Sequence, residues 1–137
     1  MSNDLTDIFA ISGSALKAQD QRMKVIAENI ANANTSASAP GQKPYQRQTI
    51  TFKNEFDKAL GAYKVKVDGV HNDPSDFIKK YDPSNPAADK TGYVQMPNVN
   101  PLIESMDMSE SSRAYQANVD VITASRSMVM KTISLLQ

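Results

Sequence analysis

The chain has 137 residues, 15 basic and 15 acidic, and a formal charge of zero. That length suits one ordinary domain or a small domain carrying long helices, and the balanced charge excludes a global electrostatic pull toward nucleic acid or acidic lipid. There is no cysteine, which excludes zinc–thiolate sites, thiol catalysis and disulfides. Aromatic content is only 7% against 40% hydrophobic residues, with no Trp. The apolar material is therefore mainly aliphatic, which suits helix pairing better than a thick globular core. No run approaches the roughly 18 apolar residues of a membrane span. The opening Ser2, Asn3 and Asp4 lack the basic and apolar regions of a cleavable secretory signal, so none is expected.

The first helix is expected over residues 1–34. Asn3 or Asp4 can cap it, with Asp7 favourable in its first turn. Phe9, Leu16, Met23 and Ile30 recur every seventh residue, flanked by Ile8, Ala15, Ile26 and Ala33. Ser12 and Gln19 are polar residues on this apolar seam, where such residues commonly set register or partner choice at a cost in stability. Gly13 costs about 1 kcal/mol against Ala in a helix; it is either a tolerated flaw or the site of a close helix–helix contact. The helix ends in Ala27-Glu28-Asn29-Ile30-Ala31-Asn32-Ala33-Asn34-Thr35. Asn32 and Asn34 suit a left-handed C-terminal cap. Asn29 is either an exposed amide or, among small alanines that allow close approach, a partner for a neighbouring backbone.

Residues 35–100 read as a β-rich insert with long loops. Residues 35–44 are loop by composition. Ile50 and Phe52 alternate with Thr49, Thr51 and Lys53 in a strand near 45–53, where Phe52 is expected to point into a core. Tyr63, Val65 and Val67 alternate with Lys64 and Lys66 in a second strand, and Phe77 to Tyr81 and Tyr93 to Met96 are two short further ones. Gly69 to Asp73, carrying the single histidine His71, reads as a turn-like loop. Charge is uneven: residues 43–66 are mostly basic and 68–89 mostly acidic. These are either solvated strand faces or complementary surfaces between neighbouring copies.

The last helix spans residues 101–137, starting near Pro101 to Ile103, with Glu104 and Asp107 in its first turns and Lys131 near its end. Met108, Tyr115, Ile122, Val129 and Leu136 recur every seventh residue. Val121, Met128 and Leu135 form a second row, and Val119 and Ile133 widen the stripe. From Met108 onward this is about eight turns, ~45 Å, without Pro or Gly. A stripe this long needs a partner, because each large apolar side chain contributes roughly 1.5–3 kcal/mol on burial. It runs to the second-last residue, so the terminus is expected to be covered.

Little in the chain points to chemistry. No second metal ligand stands at a useful spacing from His71. Asp82-Pro83-Ser84-Asn85-Pro86 lacks the Gly and terminal Glu of a calcium loop and reads as a proline-stiffened turn. The five glycines are scattered and cradle no phosphate, and no base stands ready to activate a serine. No cofactor, no metal and no catalytic residue is expected. The reading is a mainly α fold with a small β-rich insert, whose N- and C-terminal helices pair as an antiparallel coiled coil. A two-helix hairpin leaves much of each stripe exposed. Copies packed side by side would cover it and, if the rotation does not close, build a helical tube.

Ala27 to Thr35 resembles the N-terminal signature of bacterial flagellar rod, hook and related axial proteins, and Tyr115-Gln116-Ala117-Asn118-Val119-Asp120-Val121-Ile122 resembles their C-terminal helix signature. Pro44 to Arg47, Tyr81 to Asp89 and Gly92 to Asn100 narrow the likeness to the proximal-rod members of the flagellar basal-body rod protein family. The resemblance implies a non-enzymatic structural subunit of the periplasmic rod, passed unfolded through the type III export apparatus without a cleaved signal peptide. It implies assembly into a drive shaft that transmits torque and encloses the export channel, with the terminal helices as inner layer. The implied partners are copies of the chain, other rod proteins, the export-gate adaptor and the distal rod; no nucleic acid, small-molecule substrate or membrane insertion is implied.

Carried over by motif, Asn29, Asn32 and Asn118 would make inter-helix or inter-subunit hydrogen bonds. Ile26, Ile30, Tyr115, Val119, Ile122, Val129 and Ile133 would fill the seam. Phe52-Lys53-Asn54-Glu55-Phe56 fits the family's Phe-x-x-x-hydrophobic export-gate signal, with Phe52 and Phe56 as its two apolar positions. Two other classes stand beside this reading. One is a helical-hairpin adaptor or secreted effector, which should be stably helical alone, whereas a rod subunit should have mobile termini until assembled. The other is an enzyme built on His71, Asp73 and Asp76, which replacing His71 would test.

Overall fold

The computed structural model describes residues 2–135, and side chains for residues 6–135. The capping role of Asn3 or Asp4 and the packing of Leu136 lie outside the described side chains. Two long helices bracket two small antiparallel sheets, a mainly α fold with a β insert.

Helix α1 spans Ser2–Asn32. Its end departs from the left-handed cap expected from the asparagines, since no non-Gly residue among those described has a positive φ. Instead the Asn32 side-chain amide donates to the Glu28 carbonyl at 2.9 Å, and Ala33 N bonds Ile30 O in a tightened last turn. The orphan carbonyls of Ile30 and Asn32 thus accept from Ala33 N and Thr35 N without a strained residue.

Strand β1 spans Gln48–Asp57 and β2 spans Ala62–Asn72. β1 starts later than expected, because Arg47 N is held by the Asn98 side chain at 2.7 Å. It also runs longer. At its far end the Asp57 carboxylate accepts from Ala59 N and Leu60 N, and Gly61 turns with φ 64°. Lys53–Asp68, Glu55–Lys66 and Asp57–Lys64 pair across the strands at 2.8, 3.0 and 2.6 Å, so one face near the tip is a ladder of ion pairs. Of these pairs only Lys53–Asp68 joins the basic stretch 43–66 to the acidic stretch 68–89. His71 lies in β2, not in a loop: its carbonyl accepts from Thr49 Oγ1, and its side chain is exposed. Phe52 is exposed as well, so it is no core residue of this chain.

Strands β3 (Ile78–Tyr81) and β4 (Tyr93–Met96) pair from Ile78–Met96 to Tyr81–Tyr93. Their long connection is tied by its own side chains. Asp89 Oδ1 accepts from Thr91 Oγ1, Thr91 N and Tyr93 N, and these bonds hold its pKa below the usual carboxylate range. Asn85 caps Ala87 N, and Asp82 N reaches Gly92 O. Helix α2 spans Pro101–Leu135. Asn100 is its N-cap, with Oδ1 accepting from Leu102 N at 3.0 Å and Pro101 at the first helical position. No helix among the described residues is long and apolar enough to cross a membrane.

The chain divides into two compact units, each built from parts of both helices and of the insert. The unit of residues 24–50 and 70–108 has an apolar core of Val25, Ile26, Ala33, Ala87, Val94 and Val99. The unit of residues 1–23, 51–69 and 109–137 buries small or polar side chains instead: Ser12, Ala18, Ser111 and Ser125. Its large apolar residues Tyr115, Val121, Met128, Met130, Ile133 and Leu135 are exposed, Leu135 to 86%.

Gly92 closes the β3–β4 loop with φ 83°, and a Cβ there would lie 2.8 Å from the Tyr81 ring and 3.3 Å from Pro83 Cβ. Gly92→Ala should destabilise the protein by about 1–2 kcal/mol, the cost of a left-handed side-chain-bearing residue. The Tyr81–Tyr93 edge-to-face contact should loosen, read as lower Tm and altered tyrosine signals.

Candidate functional site

The best-organised group of side chains lies in the unit with the apolar core. Asn29 sits one turn before the end of α1 and is 1% exposed. All its hydrogen-bonding capacity is used: Nδ2 donates to Gln48 O at 2.8 Å and Glu104 Oε2 at 3.0 Å, while Oδ1 accepts from Tyr45 OH and Gln48 N, both at 2.9 Å. Glu104, in the first turn of α2, is 0% exposed. Its other oxygen accepts from Arg47 Nε at 2.6 Å. Arg47 also meets Asp73 at 3.2 Å and Asp107 at 3.7 Å. Asp73 and Asn98 complete the ring: Asp73 N reaches Arg47 O at 2.8 Å, and the Asn98 amide donates to Asp73 O and to Ser75.

Charge states follow from these contacts. Burial works against the Arg47 charge, but its bonds to Glu104 and Asp73 outweigh burial and hold its pKa above the ordinary value. The Tyr45 hydroxyl is pushed up by burial and then by Glu28 and Glu104. Asp73 is held low by hydrogen bonds from Ser75 and, more weakly, by Arg47. The node is a tie between segments. Among the described residues no cluster of acids and histidine could hold a metal ion.

The residues singled out from sequence take different places. Asn29 is buried, not an exposed amide, and its Glu104 bond runs from α1 to α2. Asn32 caps its own helix, and Asn118 donates to Ala114 O one turn back. Ile26 is buried; Ile30, Val119, Ile122 and Val129 are half-buried; Tyr115 and Ile133 are exposed. Phe52 and Phe56 are both exposed on β1, Phe56 packing edge-to-face on Tyr63. The sequence reading missed Arg47, Asp73, Asn98 and the burial of Glu104. A signal for Glu104 was present: Glu104, Ser111, Asn118 and Ser125 form a polar seven-residue row beside the apolar one.

In the other unit Arg22 of α1 meets Glu110 of α2 at 3.8 Å. Close by in sequence, Gln19 Oε1 and Ser111 Oγ are buried without a hydrogen-bond partner, each at a cost on the order of 1–3 kcal/mol. Ser14 Oγ accepts from Val65 N at 3.3 Å and so ties α1 to the hairpin.

Residues 9–36 match the family described as "Flagella basal body rod protein", and residues 90–135 match "Flagellar basal body rod FlgEFG protein C-terminal". The flagellar basal-body rod protein FlgC of Agrobacterium fabrum is 49% identical over 127 residues, 93% of this chain and 91% of that one. The FlgC of Escherichia coli O6:H1 is 41% identical over 133 residues, 97% of this chain and 98% of its own. The FlgC of Buchnera aphidicola from Schizaphis graminum is 42% identical over 132 residues, covering 96% and 97%. The chain belongs to the FlgC family of flagellar basal-body rod proteins. The FlgC match spans the whole node, from Asn29 to Asp107. The two general rod matches take in Asn29, Asn98, Glu104 and Asp107 but not Tyr45, Arg47 or Asp73.

Two outcomes follow from the node. Arg47→Ala strands Glu104 as a buried charge and should cost about 3–5 kcal/mol in denaturant unfolding, far more than an exposed lysine such as Lys79→Ala. Asp73 has a folded pKa below its unfolded one, so its stabilising contribution is present above about pH 4 and is lost as pH falls through the folded value. Asp73→Asn should therefore flatten the acid limb of Tm against pH and lower Tm at neutral pH.

Proposed function

We propose that this chain is a structural subunit of the proximal rod of the flagellar basal body. It assembles with copies of itself and other rod proteins into a helical tubular drive shaft that transmits motor torque and encloses the export channel. The observation that carries the reading is the inversion of α2. In the unit of residues 109–137, Ser111 and Ser125 are buried, while Tyr115, Val121, Met128 and Ile133 face outward. An apolar row on the outside of a long helix is a surface waiting for further helices.

Within one chain, α1 and α2 form an antiparallel coiled coil. In each unit α1 meets α2: Asn29 bonds Glu104 in one, and Arg22 pairs with Glu110 in the other. Ile26, Ile30, Val119, Ile122 and Val129 lie along the seam, and Tyr115 and Ile133 reach neighbouring subunits. The insert makes the outer layer. Export runs through the type III apparatus, with the exposed Phe52 and Phe56 as the segment offered to its gate. The export-gate adaptor and the distal rod are the neighbours at the two ends.

Fractionation of cells with and without a working export gate tests this, together with purified basal bodies. Export-dependent incorporation is expected; cytoplasmic retention and absence from basal bodies would contradict it. Ile122→Asp should abolish incorporation and motility by placing a charge in an apolar interface. Normal swimming in that variant would remove Ile122 from the seam.

A further inference from the structure

We infer that α1 is a two-segment helix hinged at Gly13, with Ser14 as the pivot. Gly13 lies in the interior of a 31-residue helix, is exposed and has helical backbone. A Cβ built on it meets nothing within 4 Å. Among the described residues neither backbone conformation nor packing requires glycine there, and no close contact at Gly13 occurs. What the residue does supply is a weak point, since glycine in a helix interior loses about fivefold in helix equilibrium against alanine.

Ser14 sharpens the point. Its hydroxyl donates to Ile11 O at 2.7 Å, a back-bond across Gly13 of the kind that competes with the helical ladder and bends helices. The same oxygen accepts from Val65 N at 3.3 Å, which fastens the helix to β2 immediately after the glycine. Helix past Ser14 is thus anchored. Helix before Gly13 carries Ile8, Phe9 and Ile11, all only half-buried, and can change its direction by opening the bonds that span Gly13. On the rod reading, this lets identical subunits lay the start of α1 against non-identical neighbours.

Native-state hydrogen exchange on the purified chain tests the hinge without reference to assembly. Amides of residues 13–17, whose helical bonds span Gly13, should exchange at least tenfold faster than those of residues 22–26. Gly13→Ala, which meets no atom, should slow them about fivefold. Ser14→Ala should raise exchange at Val65. Equal protection along α1, or no effect of Gly13→Ala, would overturn the inference. In cells, Gly13→Ala should be exported yet incorporated less into basal bodies; wild-type incorporation would refute the hinge's role in assembly. Absence of the unaltered chain from basal bodies would instead strike the rod reading and leave the exchange result standing.

Discussion

One carboxylate with no exposed surface, Glu104, organises one of the two units of this chain. A buried charge is tolerable only when it is paired and hydrogen-bonded. Glu104 meets that condition with Arg47 on one oxygen and Asn29 on the other. Asn29 brings the end of α1, Arg47 the start of the insert, and Glu104 itself the start of α2. The Arg47 side chain then draws in Asp73, and the Arg47 backbone draws in Asn98. Four segments distant in sequence are fixed by a handful of directional bonds, around a core of modest aliphatic residues.

The two units solve burial in opposite ways. One encloses Val25, Ile26, Val94 and Val99 and satisfies its buried polar node. The other encloses Ser12, Ala18, Ser111 and Ser125 and leaves Met128, Met130 and Leu135 in solvent. Small side chains let helices approach closely, and their burial contributes little hydrophobic stabilisation. Two buried polar atoms there lack partners. Apolar surface left exposed in this way fits a subunit made for assembly.

Much of the fold was legible in sequence because helix and strand periodicities are local. The strand at 93–96 and the start of α2 at Pro101 follow from spacing and from proline at a first helical position, while the strand expected over 77–81 runs over 78–81. The site was less legible. Asn29 was marked by its position among alanines, but its burial depends on Tyr45, Gln48 and Glu104, and no local rule joins residues 75 apart. Glu104 reads as an ordinary first-turn acid until the polar row through Ser111 and Ser125 is seen beside the apolar one. The row Val121–Met128–Leu135 is apolar, but the side of α2 that the chain itself covers is the one with Ser111 and Ser125. Hydrophobicity alone cannot tell a face buried within the chain from one reserved for a neighbour.

The central claim, that Glu104 joins the two helices through Asn29, is tested most directly by a double-mutant cycle. Denaturant unfolding of Asn29→Ala, Glu104→Ala and the double variant gives the coupling between them. A charge-assisted buried bond predicts an interaction of about 1.5–3 kcal/mol, so the double variant should lose much less stability than the two singles together. Losses that add to within about 0.5 kcal/mol would contradict the claim and leave Asn29 and Glu104 as separate fixtures of their own helices.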